Sequence, residues 1–309
     1  MGRIADALKK AEQQRREKLG HAGSPVDGDC GEAVAVVSAP SPVLDASGDE
    51  LFGCLTAASG GAIGANEVSP PTAGMDESLV AYYDPSSVIS EQYRGLRTRL
   101  LSQNPDNEHR TMAITSSLPR DGKTVTALNT AFILAEIRHL RVLVVDGDFR
   151  RSSLAGMLKL GSSPGLAELL MGEASYEEVL QPTAAPNLFF VAAGQTHGRS
   201  AAEVLSSQSA TSIFATFRNQ FHYTIIDTPP ASTVTDVGII GQWCNGVIMV
   251  VRLDKTPEPM AQRAVRLLQA NNIPILGTVL VGGDRRSGGY GYYRYYRYYY
   301  TSDRERAKR

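Results

Sequence analysis

The chain has 309 residues, 42% hydrophobic and 20% charged, with 31 Lys and Arg set against 32 Asp and Glu. That balance suits a globular protein with a sizeable core, and a net charge of −1 excludes global steering toward nucleic acid or anionic lipid. Its three cysteines (Cys30, Cys54 and Cys244) have no metal-ligand spacing and form no even disulfide set, which points to a reducing cytosol.

Residues 1–20 predict a short helix with Ile4, Ala7, Leu8 and Ala11 on one face and charges on the other. The opening "MGRIADALKK" is charged throughout and gives no secretory signal. Residues 21–80 hold nine carboxylates and no Lys or Arg, with abundant Gly, Ala, Ser and Pro. Such a segment cannot bury enough apolar surface to offset its ordering entropy, so 21–83 is expected to be a disordered acidic linker. Its longest uncharged stretch, 51–66, is too short and glycine-broken to span a membrane. Any membrane role is therefore expected to run through a partner.

From residue 84 the pattern changes. "SEQYRGLRT" places Glu91, Arg94 and Arg97 three residues apart on a predicted helix, as i,i+3 charge pairs. Six apolar runs then read as buried strands: 112–117, 141–146, 187–193, 223–228, 246–251 and 274–281. Helical stretches such as 123–137 and 257–271 separate them. Near-continuous apolar strands alternating with helices predict an α/β, doubly wound, mostly parallel sheet over 84–285. Residues 286–309 return to Gly, Arg and Tyr without periodicity and read as a flexible tail. The eight residues Tyr290, Tyr292, Tyr293, Tyr295, Tyr296, Tyr298, Tyr299 and Tyr300 fall within eleven positions of it, out of thirteen tyrosines in the chain.

"SLPRDGKT", 117–124, lies between the first predicted core strand and the first core helix. It matches the P-loop pattern G-x-x-x-x-G-K-[ST], with Ser117 in place of the first Gly. Ser117, Pro119, Arg120, Asp121, Gly122, Lys123, Thr124 and Val125 are the candidate nucleotide-binding residues. Backbone N–H groups at a helix N-terminus would curl around phosphate oxygens, Lys123 would reach the β- and γ-phosphates, and Thr124 would offer a hydroxyl to Mg²⁺. "VLVVDGDFRR" ends a strand with Asp146 and Asp148, followed by Arg150 and Arg151, whose role is open. "YTIIDTPP" ends another strand with Asp227, in the Walker B position. Strand C-termini of a parallel sheet share one edge, so the three acids are expected to converge on the P-loop.

These motifs together resemble the bacterial P-loop tyrosine autokinases (BY-kinases) of capsule and exopolysaccharide systems, over roughly residues 84–300. The resemblance rests on the P-loop, the Walker A′ stretch "VVDGDFR", the Walker B stretch "IIDTPP", the Glu91/Arg94/Arg97 spacing and the tyrosine cluster. It implies a P-loop NTPase fold of the MinD/ParA-like type, ATP and Mg²⁺ as cofactors, and Thr124, Asp146 and Asp227 around the metal. It further implies a homo-oligomeric ring packed through Glu91, Arg94 and Arg97, with the tail tyrosines phosphorylated in trans. The kinase would be cytoplasmic and held at the inner face of the membrane by a polysaccharide co-polymerase-type activator, with a cognate tyrosine phosphatase opposing it. Relative to the family, Arg120-Asp121-Gly122 replaces Gly-Glu-Gly.

A phenol with a pKa near 10 needs a base before it can attack; Asp146 and Asp148 are both candidates. A partition-type ATPase switch shares the fold, yet such proteins carry a second Lys five residues before the P-loop Lys, where this chain has Leu118. A regulatory pseudo-kinase of the same fold is the other alternative. The Tyr- and Arg-rich tail could stack on single strands, but three converging acids would repel a phosphate backbone, so no nucleic-acid partner is expected.

Overall fold

The computed structural model describes residues 33–38, 74–232, 235–253 and 255–283. The predicted N-terminal helix, most of the acidic linker and all eight tail tyrosines lie outside the described residues.

Eight strands form one sheet: β1 (Ala33–Ser38), β2 (Arg110–Ser116), β3 (Val142–Asp146), β4 (Leu180–Pro182), β5 (Leu188–Val191), β6 (Tyr223–Asp227), β7 (Gly246–Arg252) and β8 (Ile275–Gly283), in the order β1-β8-β7-β2-β6-β3-β5-β4. The six central strands run parallel and correspond to the six apolar runs. Antiparallel strands close both edges, β1 against β8 and β4 against β5.

Side chains alternate between two cores, as the period of a strand demands. Val142 and Val144 of β3 enter one core with the helices Val88–Ser102 and Lys123–Ala135, whereas Leu143 and Val145 enter the other with Ala210–Gln220 and Glu258–Ala270. The result is a three-layer α/β/α unit. No helix among the described residues is long and apolar enough to cross a membrane.

Two parts of the expected linker differ from the sequence reading. The six residues "AVAVVS" form β1, because alternating valines favour a pleated strand against the free edge of β8. Residues 74–83 also belong to the folded unit. Leu79 is fully buried in the first core with Met75 and Ala81. Asn129, on the helix Lys123–Ala135, ties this segment down: its Oδ1 accepts from the Ala81 amide at 2.9 Å and its Nδ2 donates to the Ser78 carbonyl at 3.0 Å. Linker composition averaged over 60 residues masks these short apolar stretches.

Leu79→Ala should accordingly destabilise the chain by about 2–5 kcal/mol. Chemical denaturation of full-length protein checks this; a change under about 0.5 kcal/mol would mean that the segment does not pack as described.

Candidate active site

The loop 117–122 leaves β2 and turns into the helix Lys123–Ala135 through Gly122, whose φ of 97° suits glycine. A side chain there would also meet Val281 Cγ2 of β8 at 3.3 Å. Asp121 does not face outward. It is buried, its Oδ2 accepts from the Leu118 amide and its Oδ1 from the Thr256 hydroxyl, both at 2.9 Å, so it braces the loop from beneath. Burial raises its carboxyl above the usual range. Ser116 Oγ donates to the Leu118 carbonyl at 2.7 Å, and the Ser232 hydroxyl donates to the Ser117 carbonyl. The Ser117 hydroxyl is buried and has no hydrogen-bond partner among the described residues. Pro119 and Arg120 are exposed, and Val125 is partly buried.

Arg120 adopts a φ of 66°, a left-handed conformation that costs a side-chain-bearing residue about 1–2 kcal/mol. The departure from Gly-Glu-Gly is therefore a strained one. It leaves the turn itself intact, since Gly122, Lys123 and Thr124 begin the helix as expected.

The acids arrive by strand register. Asp146 closes β3 directly opposite Asp227 at the end of β6, and Asp227 in turn pairs with Ile114 of β2, the strand that feeds the P-loop. The turn after β3 is clamped: the Gly147 amide donates to the Asp227 carbonyl at 2.8 Å. A Cβ at Gly147 would lie 2.9 Å from that oxygen and 3.1 Å from Ile240 Cδ1, so only glycine fits.

Lys123 Nζ lies 3.2 Å from Asp148 Oδ2 and 3.5 Å from Asp227 Oδ2, and the Thr124 hydroxyl donates to the same Asp227 oxygen at 2.7 Å. Asp146 is held differently. Its Oδ1 accepts from the Asp148 amide, and its Oδ2 from the Ser153 and Leu154 amides, at 3.1–3.3 Å. Asp148 Oδ1 accepts from the Arg150 and Arg151 amides at 3.3 and 3.0 Å.

Burial pushes Asp146 up to about 7, with the Asp227 charge adding to it. Burial also pushes Asp227 up to about 6 and outweighs the opposing pull of Lys123 and Thr124. Lys123 shows the reverse balance: burial lowers it, but Asp227, Asp148 and Asp146 together leave it raised. A single ammonium thus faces more buried carboxylate than it can neutralise.

The oxygen donors fit a hard cation. Thr124 supplies a hydroxyl, and Asp227 Oδ1 is buried without a hydrogen-bond partner among the described residues. No group of three His, Cys, Asp or Glu side chains stands in metal-ligand geometry among the described residues. Mg²⁺ completed by phosphates and waters needs only one or two carboxylates.

Glu91, Arg94 and Arg97 sit together on the helix Val88–Ser102 but face a residue of their own chain that the spacing did not reveal. Arg94 bridges Glu91 and Glu136, while Arg97 donates to Glu136 at 2.7 Å and to the Ile133 carbonyl at 2.8 Å. Burial raises Glu136, and the two guanidiniums overcome this and hold it below the usual range. Asp236 also escaped the sequence reading; Arg150 Nε donates to its Oδ2 at 3.2 Å. Arg151 is exposed.

Arg120→Gly should relieve the backbone strain and raise stability by about 1 kcal/mol. Thermal unfolding of the two proteins side by side provides the check, and an unchanged or lowered midpoint would remove strain from the account of this loop.

Residues 110–257 match the AAA domain family model. The chain is 34% identical over 191 residues to the tyrosine-protein kinase CpsD of Streptococcus pneumoniae, covering 62% of this chain and 82% of that protein. It is 30% identical over 208 residues to the tyrosine-protein kinase YwqD of Bacillus subtilis, covering 67% of this chain and 87% of that one. Among solved structures, the chimerical protein CapA2B2 superposes with a TM-score of 0.62 at 29% identity, over 66% of this chain and 88% of that structure. With a P-loop lysine paired to Asp148 after β3 and Asp227 at the end of β6, and relatives matched over most of their length, the chain belongs to the bacterial tyrosine-protein kinase family.

Proposed function

We propose that this kinase uses Mg-ATP to phosphorylate the tyrosines of its own C-terminal segment in trans, and that this controls exopolysaccharide or capsule polymerisation and export. The observation that carries the reading is Lys123, at the first turn of the P-loop helix, within reach of Asp148 from the turn after β3 and of Asp227 at the end of β6. Phosphoryl transfer depends on positioning and charge neutralisation, and this cluster supplies both.

Lys123 would turn from the carboxylates to the β- and γ-phosphates, with loop amides and the N-terminus of the helix Lys123–Ala135 cradling them. Thr124, Asp227 and Asp146 would hold Mg²⁺, directly or through water. When bound, Mg²⁺ offsets the negative charge of phosphates and acids together.

Asp148 is the better base. Both Asp146 oxygens accept backbone amides. Among the described residues Asp148 Oδ2 is held by Lys123 alone, and it would become free to take the phenol proton as Lys123 moves away.

The tail carries eight acceptor tyrosines among arginines. Each phosphate adds roughly −1.5 to −2 charges, so multiple modification would reverse the tail's sign and weaken its hold on an acidic catalytic edge. We read the assembly as a ring whose subunits present tails to one another. A membrane co-polymerase-type partner would hold it at the inner face of the membrane, and a tyrosine phosphatase would reset it. The Glu91–Arg94–Arg97–Glu136 cluster, partly exposed, is the proposed contact between subunits.

Mass spectrometry of the chain after incubation with Mg-ATP, beside Lys123→Met and a chain ending at Gly288, tests this. The expected result is several phosphates within 290–300, absent from Lys123→Met and from the shortened chain. Phosphate retained in Lys123→Met, or located only outside the tail, would contradict it.

A further inference from the structure

Arg150 and Asp236 form a pair that phosphoryl transfer as described above does not use. Asp236 starts the short helix Asp236–Ile240 after the Walker B strand. Its side chain is 2% exposed, whereas that of Arg150 is 56% exposed. The contact is one-sided: Arg150 Nε meets Asp236 Oδ2 at 3.2 Å, and Asp236 Oδ1 is buried with no hydrogen-bond partner among the described residues. The terminal nitrogens of Arg150 have no partner among the described residues.

The root of this arginine is fixed as well. Its amide donates to Asp148 Oδ1, the carboxylate that binds Lys123 through its other oxygen. The Asp236 helix packs close to the same turn: a Cβ at Gly147 would lie 3.1 Å from Ile240 Cδ1. Arg151, also anchored through its amide to Asp148, has no such second tether among the described residues. Arg150 is therefore a guanidinium held at its base and its Nε, with its planar end turned to solvent at the catalytic edge. That geometry suits bidentate binding of a tetrahedral dianion, and it binds a neutral phenol poorly.

We propose that Arg150 is a binding residue for a phosphate monoester dianion at the catalytic edge, and that Asp236 is its positioning residue. Resting on the kinase reading, the dianion has two sources: the terminal phosphate of the nucleotide before transfer, or the phosphate of a modified tyrosine after it.

The test is equilibrium binding of Mg-ATP, Mg-ADP and phenyl phosphate to the full chain, with benzoate as the carboxylate control. Wild type is compared with Arg150→Ala, Arg150→Lys, Asp236→Asn and the Arg150→Ala/Asp236→Asn double variant. Loss of a charged hydrogen-bonding partner should weaken binding about tenfold or more. If the nucleotide is the source, Arg150→Ala loses Mg-ATP affinity and keeps that for Mg-ADP. If tyrosine phosphate is the source, phenyl phosphate binding falls instead. Arg150→Lys keeps the charge but lacks the fork and should not restore binding. Asp236→Asn should weaken the same ligand, and its effect should vanish in the Arg150→Ala background, which a merely structural role would not do.

Unchanged affinity for all three phosphates in Arg150→Ala overturns the proposal, as does benzoate binding as tightly as phenyl phosphate. Because the readout is binding, a chain that binds Mg-ATP but modifies no tyrosine would count against the kinase reading alone.

Discussion

One ammonium serves three buried carboxylates, and the rest of the catalytic edge is arranged around that imbalance. Parallel strands bring Asp146 and Asp227 side by side in register, while the turn after β3 brings Asp148 within reach of Lys123. Water cannot relieve them, because none of the three is more than 2% exposed. Backbone amides stabilise Asp146, and Thr124 stabilises Asp227, yet both stay raised because burial dominates. A folded site that tolerates this much uncompensated charge is one shaped for a cationic ligand, and it is held at some cost to stability.

Backbone conformation and close approach explain why glycine sits at two points of the site. Gly122 lets the chain turn into the P-loop helix against β8, and Gly147 lets the Walker A′ turn lie on the end of β6. Between them the loop is braced by Asp121 and Thr256 rather than by small residues. Arg120 in a left-handed conformation shows that the turn keeps its backbone shape even where the residue type opposes it.

Much of this was legible in the sequence. Six apolar runs mark the six parallel strands, because strands buried on both faces leave no polar alternation. Strand-end acids and the Gly122-Lys123-Thr124 stretch mark the catalytic edge, since parallel topology forces strand ends together. What escaped depended on tertiary contacts. β1 and the Leu79 segment are short apolar stretches inside an acidic region, and only the free edge of β8 and a groove beside Asn129 give them a place. Glu136 and Asp236 carry no local pattern. They became visible only when the fold set them beside Arg94, Arg97 and Arg150.

The most direct measurement is the free energy of unfolding against pH, from 5 to 8, for the wild type and Asp146→Asn. Asp146 and Asp227 titrate near 7 and 6 in the folded chain, against about 4 when unfolded. Between those values the folded chain binds more protons than the unfolded chain, so their contribution to stability is lost as pH rises through 6 and 7. Wild-type stability should fall over that range, and that of Asp146→Asn should fall less steeply. Parallel curves for the two proteins would contradict the claim that the site holds more buried negative charge than Lys123 can balance.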